Sequence, residues 1–120
     1  MKIAITSAGT DLASPLDPRF GRAQAFIVYD TESDKFEAVD NSQNLNAVQG
    51  AGIQAAENVV RLGVACVITG NCGPKAFRAL QSAGIKIMLC VGGTVQEAID
   101  QFKAGDLEET DNANVGGHWG

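Results

Sequence analysis

Between Val64 and Gly105 the chain twice repeats one pattern: a short apolar run, a break containing glycine, and a helix-like stretch that stops at a glycine. The first unit is Val64–Thr69 followed by Lys75–Ala83, with Gly84 after it. The second is Ile85–Val91 followed by Thr94–Lys103, with Gly105 after it. Strands joined by a helical crossover run parallel and need helices packed on their sheet, so the fold class is α/β. Thr94 and Glu97 form a T-x-x-E capping box, and Gly105 sits where a helix C-terminus favours glycine.

Upstream, Lys2–Thr6 is a β-rich run, and a long Asp-, Pro- and Gly-rich loop extends from Ala8 to about Gln24. Ala25–Asp30 (AFIVYD) and Phe36–Asp40 (FEAVD) are joined by TESDK and read as an antiparallel hairpin. From Val48 to Leu62 the pattern is helical: Ala51, Ala55, Ala56, Val59 and Val60 recur at three- and four-residue spacing, and Gly63 follows. The order β-β-β-α-β-α-β-α predicts a five-stranded mixed sheet with helices on both faces. The second strand is antiparallel and the first is central. Residues 1–105 form one domain, and the acidic, Gly-rich residues 106–120 (DLEETDNANVGGHWG) read as a loose tail.

With 120 residues there is material for one core. A net charge of −5 argues against nucleic acid and anionic membranes as partners. No apolar run approaches the roughly 20 residues of a membrane helix. The N-terminal MKIAITSAG reads as a strand rather than a signal peptide. Three cysteines make no disulfide scaffold, so a reduced, cytoplasmic compartment is expected.

In such a sheet five segments converge on one edge: Ser7–Gly9, Asp17–Ala23, Asn41–Gly52, Gly70–Lys75 and Gly92–Thr94. The crevice beyond the strand C-termini is the usual ligand site of open α/β sheets. Helix N-termini after Cys72 and Gly93 would aim N–H groups into it, which suits an anion. Of nine Lys and Arg, four (Arg19, Arg22, Lys75 and Arg78) fall in or beside these loops. The competing reading pairs Arg19 and Arg22 with Asp11 and Asp17 to hold the long loop together.

Cys66, inside VACVI, reads as a core thiol. Cys72 and Cys90 fall near the crevice, and a helix N-terminus favours thiolate at Cys72. That makes Cys72 a candidate nucleophile, redox thiol or soft-metal ligand. Cys–His catalysis finds only His118, in the tail. His118 is either a soft-metal ligand folded over the crevice or a solvated histidine. A conventional iron–sulfur site takes about four cysteines, and a structural zinc site also needs more ligands than this chain offers. A preformed cluster that brings its own sulfide needs little covalent ligation, and it is a bulky anion. GxxxxGK[ST] and GxGxxG are absent, and no central-strand carboxylate supports a metal-dependent nuclease.

DPRFGRAQAFIVYD (17–30), VQGAGIQAAENV (48–59) and VITGNCGPKAF (67–77) resemble the three motif blocks of the dinitrogenase iron–molybdenum cofactor biosynthesis family. That family includes NifX, NafY, the NifB C-terminal domain and small stand-alone proteins. The resemblance spans about Lys2 to Phe102. It implies a ribonuclease-H-like three-layer α/β/α fold and a non-enzymatic role: binding or carrying a metal–sulfur cluster. The cargo would be iron–molybdenum-cofactor-like or, as in one stand-alone member of similar size, a molybdenum–copper sulfide held without covalent ligands. A donor or acceptor protein for the cluster is the implied partner. Arg19 stands where nitrogenase-linked members often carry histidine, which points to a stand-alone role. Together the crevice loops and the blocks nominate Ser7, Arg19, Phe20, Gly21, Arg22, Gly50, Gly52, Gly70, Asn71, Cys72, Gly73, Pro74, Lys75, Gly92 and Gly93 for cofactor binding. Cys72, Cys90 and His118 are the candidate metal contacts. The rival class is a signalling or scaffold module whose crevice takes an acidic partner segment or a small phosphate-type anion.

Overall fold

The computed structural model of the chain describes residues 1–41 and 51–110. Its elements are β1 (Lys2–Ser7), β2 (Ala25–Asp30), β3 (Phe36–Asp40), α1 (Ala51–Arg61), β4 (Cys66–Thr69), α2 (Pro74–Ser82), β5 (Lys86–Leu89), α3 (Val95–Ala104) and β6 (Glu108–Glu109). They build one sheet in the order β3-β2-β1-β4-β5-β6. β1, β4 and β5 run parallel, while β2 is antiparallel to both β1 and β3. β1 is internal because the crossover through α1 carries the chain from the hairpin to the far side of β1.

The expectation of five strands is one short. β6 pairs antiparallel with β5, Met88 opposite Glu109 and Leu89 opposite Glu108, in a segment whose composition reads as tail. Gly105 turns the chain at the end of α3 with φ of 77°, and Leu107 packs back on the core. A strand of two glutamates has no periodicity to read. Residues 42–50 and 111–120 lie outside the described residues, and with them Gly50, His118 and the expected helix start at Val48.

Alternation along the strands divides the core into two layers. Ala4, Phe26, Val28, Val67 and Ile87 pack with Ala55, Ala56 and Val59 of α1 and with Phe77 and Leu80 of α2. Ile3, Ile5, Ile27, Tyr29 and Ile68 pack with Val95, Ala98 and Ile99 of α3. The capping box forms as expected: Glu97 N–H donates to Thr94 Oγ1 at 3.1 Å, and Thr94 N–H donates to Glu97 Oε1 at 3.0 Å.

Candidate functional site

β1 and β4 end side by side, with buried Thr6 next to last in β1 and buried Thr69 last in β4. Thr6 Oγ1 donates to the Asp17 carbonyl at 2.6 Å and lies 3.0 Å from Thr69 Oγ1. Asp17 N–H returns a bond to the Thr6 carbonyl at 2.9 Å. The loop that follows is thereby laid across the strand ends. Arg19 forms a parallel bridge with Asn71, and Phe20 N–H donates to the Asn71 carbonyl at 3.1 Å. Buried Asn41 holds the far end of the loop, its Nδ2 donating to the Ala23 carbonyl at 2.8 Å. Sequence reasoning missed Thr6 and Thr69, and it placed Asn41 only as the start of a converging segment. The signal for the threonines was a hydroxyl near the end of each of two otherwise apolar neighbouring strands.

Two of the nominated glycines have a structural reason. A Cβ on Gly70 would lie 2.9 Å from Pro18 Cα, and one on Gly21 would lie 2.8 Å from Gly52 N. Backbone meets backbone at both places, so Gly21 and Gly70 serve chain packing. Ser7 is buried, and its Oγ closes a local turn, donating to the Gly9 carbonyl at 2.8 Å and accepting from Gly9 N–H at 3.1 Å.

Of the two helix N-termini expected to face the crevice, the one on α3 is already occupied. Val95 N–H donates to the Ser14 carbonyl and Gln96 N–H to the Leu12 carbonyl, both at 2.9 Å, and Thr94 Oγ1 takes Glu97 N–H. The long loop folds back over this helix end, and Gly93 contributes by accepting Leu16 N–H at 2.9 Å. Gly92 and Gly93 therefore shape the approach to α3 rather than an anion cradle. On α2, Gly73 occupies the N-cap without a side-chain hydrogen bond, and Pro74 follows at the first helical position. Lys75, in that first turn, is exposed, whereas Gly73 and Ala76 are buried.

The cysteine expectations need correction. Cys72 is fully buried with Phe20 and Ala76 in the α1–α2 layer, and burial pushes its thiol up to about 12. Cys90 is also buried, but in the α3 layer, on the opposite side of the sheet. Burial first, and then Glu97, raise its pKa. The two thiols therefore do not share the crevice, and neither is a ready thiolate. Phe20, nominated for binding, is core, its ring 5.5 Å from that of Phe26. Cys66 is the core thiol its sequence context suggested. No group of three or more His, Cys, Asp and Glu that could hold a metal ion occurs among the described residues.

The basic residues split into two sets. Arg19 Nε pairs with Asp17 Oδ1 at 3.4 Å, and its side chain remains 44% exposed beside Asn71. Arg22 is half-buried in the same loop. Lys75 and Arg78 instead line a groove between α1 and α2, next to Ile53. The crevice thus brings together Arg19, Asn71, Gly73 and the N-terminus of α2.

Comparison with known proteins places this geometry. Over 95% of its length the chain superposes on 96% of the apo form of the orange protein from Desulfovibrio gigas, with 41% identity and a TM-score of 0.92. A Thermotoga protein named as a candidate NifB protein superposes over 95% of this chain and 98% of its own, with 43% identity and a TM-score of 0.82. An uncharacterised Methanocaldococcus jannaschii protein is 30% identical over 97 residues, 78% of this chain and 81% of its own length. The family model for the dinitrogenase iron–molybdenum cofactor matches residues 1–105, and the chain belongs to that family.

Proposed function

We propose that the crevice binds or carries an anionic metal–sulfur cluster, or its precursor, without catalysing a reaction. The observation that carries this reading is the N-terminus of α2, uncapped by any side chain and led into by Asn71, which bridges to the part-exposed Arg19. Helix N-termini and guanidinium groups favour anions, and sulfide edges accept hydrogen bonds. The donor set fits such cargo held by charge and hydrogen bonds. It does not fit covalent ligation, since all three thiols are buried. Family membership and likeness to the orange protein support the same cargo class, iron–molybdenum-cofactor-like or molybdenum–copper sulfide. A donor or acceptor protein in the cytoplasm completes the reading.

Anaerobic incubation with tetrathiomolybdate plus Cu(I), and separately with iron plus sulfide, tests it. The protein is expected to gain visible charge-transfer absorption and stoichiometric metal. Replacing Arg19 and Arg22 together with Glu should weaken uptake by more than ~2 kcal/mol, about thirtyfold, with the fold intact. A protein that stays colourless and metal-free but binds inorganic phosphate in calorimetry would refute the cluster reading in favour of an anion-binding module.

A further inference from the structure

We propose that the groove between α1 and α2 docks an acidic amphipathic helix of a partner protein. Ile53 and Val60 of α1 and Ala79 of α2 form its apolar line, with Glu57 between the two α1 residues and Arg61, Lys75 and Arg78 along its edges. Val60 is 42% exposed, a large apolar side chain left uncovered one residue from the core residue Val59. Ala79 is small, so a second backbone can approach closely.

Charge selects the partner. None of the three cations has a salt bridge to a described carboxylate, and Glu57 is the one acidic residue of α1 and α2. The opposite side is the reverse: α3 through β6 carries Glu97, Asp100, Asp106, Glu108 and Glu109 against Lys103. In a chain of net charge −5, three of the four basic residues of the helices are thus gathered on one face. An anionic partner is drawn to that face and repelled by the other.

Shape selects a helix. Both walls are helices, so the groove offers no unpaired strand edge for an extended peptide. α1 has 11 residues and α2 has 9. At about 1.5 Å per residue, that gives a groove of roughly 13–16 Å, or about three helical turns. Apolar residues of the partner at helical spacing would lie along Ile53, Ala79 and Val60, with carboxylates beside them meeting the three cations. Val60, Arg61 and Ala79 lie outside the crevice, so the inference stands apart from the cluster reading.

The test titrates the full chain into a fluorescein-labelled peptide of about five helical turns, with Leu on one stripe and Glu elsewhere. A twin peptide carries Lys in place of Glu. The glutamate peptide is expected to bind in a salt-sensitive manner and to shift amide signals of α1 and α2. The Arg61→Glu/Arg78→Glu protein should bind it at least roughly tenfold more weakly. Both positions are exposed, and a thermal melt confirms that the variant is folded. The proposal is overturned by absence of binding, by equal binding of the lysine twin, by unchanged affinity in the double variant, or by shifts confined to α3. It is also overturned if the chain alone self-associates through this face and the double variant abolishes that, since the occupant is then a second copy.

Discussion

Gly70→Ala probes the contact that lays the loop over the strand ends. The added Cβ would sit 2.9 Å from Pro18 Cα, 3.0 Å from Pro18 Cβ and 3.1 Å from the Pro18 oxygen. Non-bonded carbons prefer about 3.5–4.0 Å, so loop and strand must part by roughly half an ångström or more. Pro18 is stiff and cannot rotate a side chain out of the way. Overpacking of this kind costs about 1–3 kcal/mol. Gly70 does not have positive φ, so alanine also stiffens the unfolded chain and returns about 0.4–1 kcal/mol. The net expectation is a loss of about 1–2 kcal/mol, or a Tm lower by roughly 3–8 °C in a domain of this size. Urea titration and thermal melts measure it. Amide exchange gives a local reading, because the Phe20 N–H to Asn71 carbonyl bond lies in the displaced segment and should protect less well. A variant as stable as the parent, with Phe20 protection unchanged, would refute the idea that this glycine exists for close backbone approach.

Three further outcomes are expected. Thr6→Val removes the donor to the Asp17 carbonyl and the neighbour of Thr69 Oγ1 in a buried site, and it should cost about 1–3 kcal/mol in urea unfolding; a neutral effect would show that the network is dispensable. Burial pushes the Cys66 and Cys72 thiols from 9.0 up to about 12, so their contribution to stability is full below pH 9 and is lost as pH rises towards 12, where the unfolded chain ionises first. The slope of stability against pH across that window should flatten in Cys66→Ala/Cys72→Ala, and rapid native-state reaction of Cys72 with a disulfide reagent would contradict the burial. Lys103 bonds Asp34 at 2.8 Å and lies 5.1 Å from the Tyr29 ring centre, tying the β2–β3 turn to α3, so Lys103→Met should lower Tm slightly at low salt, with the difference shrinking at high salt.

The β-α units, the hairpin and the capping box were legible because each rests on local periodicity or on a residue type with one conformational use. Gly105 adopts the left-handed conformation its position requires. The site was legible as a place, and less so as a list of contacts. Sequence locates Arg19, Asn71 and Lys75 at the correct sheet edge, but it cannot show that Lys75 lines an outer groove. Nor can it show that loop carbonyls from Leu12 and Ser14 fill the N-terminus of α3. The first depends on how α1 packs against α2; the second depends on how a 17-residue loop folds back, and such a loop has no period. β6 escaped for a related reason: its pairing is supplied by the edge of β5 rather than by its own residues.

Cys72 shows how two effects at one position must be weighed. The N-terminus of α2 favours a thiolate by about 0.3–1 kcal/mol, less than one pKa unit. Burial acts in the other direction and takes the thiol from 9.0 to about 12. At roughly 1.4 kcal/mol per unit, desolvation exceeds the dipole severalfold. The residue is therefore a small neutral core group under the turn, packed with Phe20 and Ala76, and on the proposed reading the chemistry at the mouth falls to polar backbone and guanidinium groups. For a protein proposed to carry a cluster, that division has a consequence. A metal–thiolate bond would have to break before release, whereas hydrogen bonds and ion pairs exchange readily with water or with a partner's donors. Cargo held by charge and hydrogen bonds would stay sensitive to ionic strength and would leave with its cluster intact.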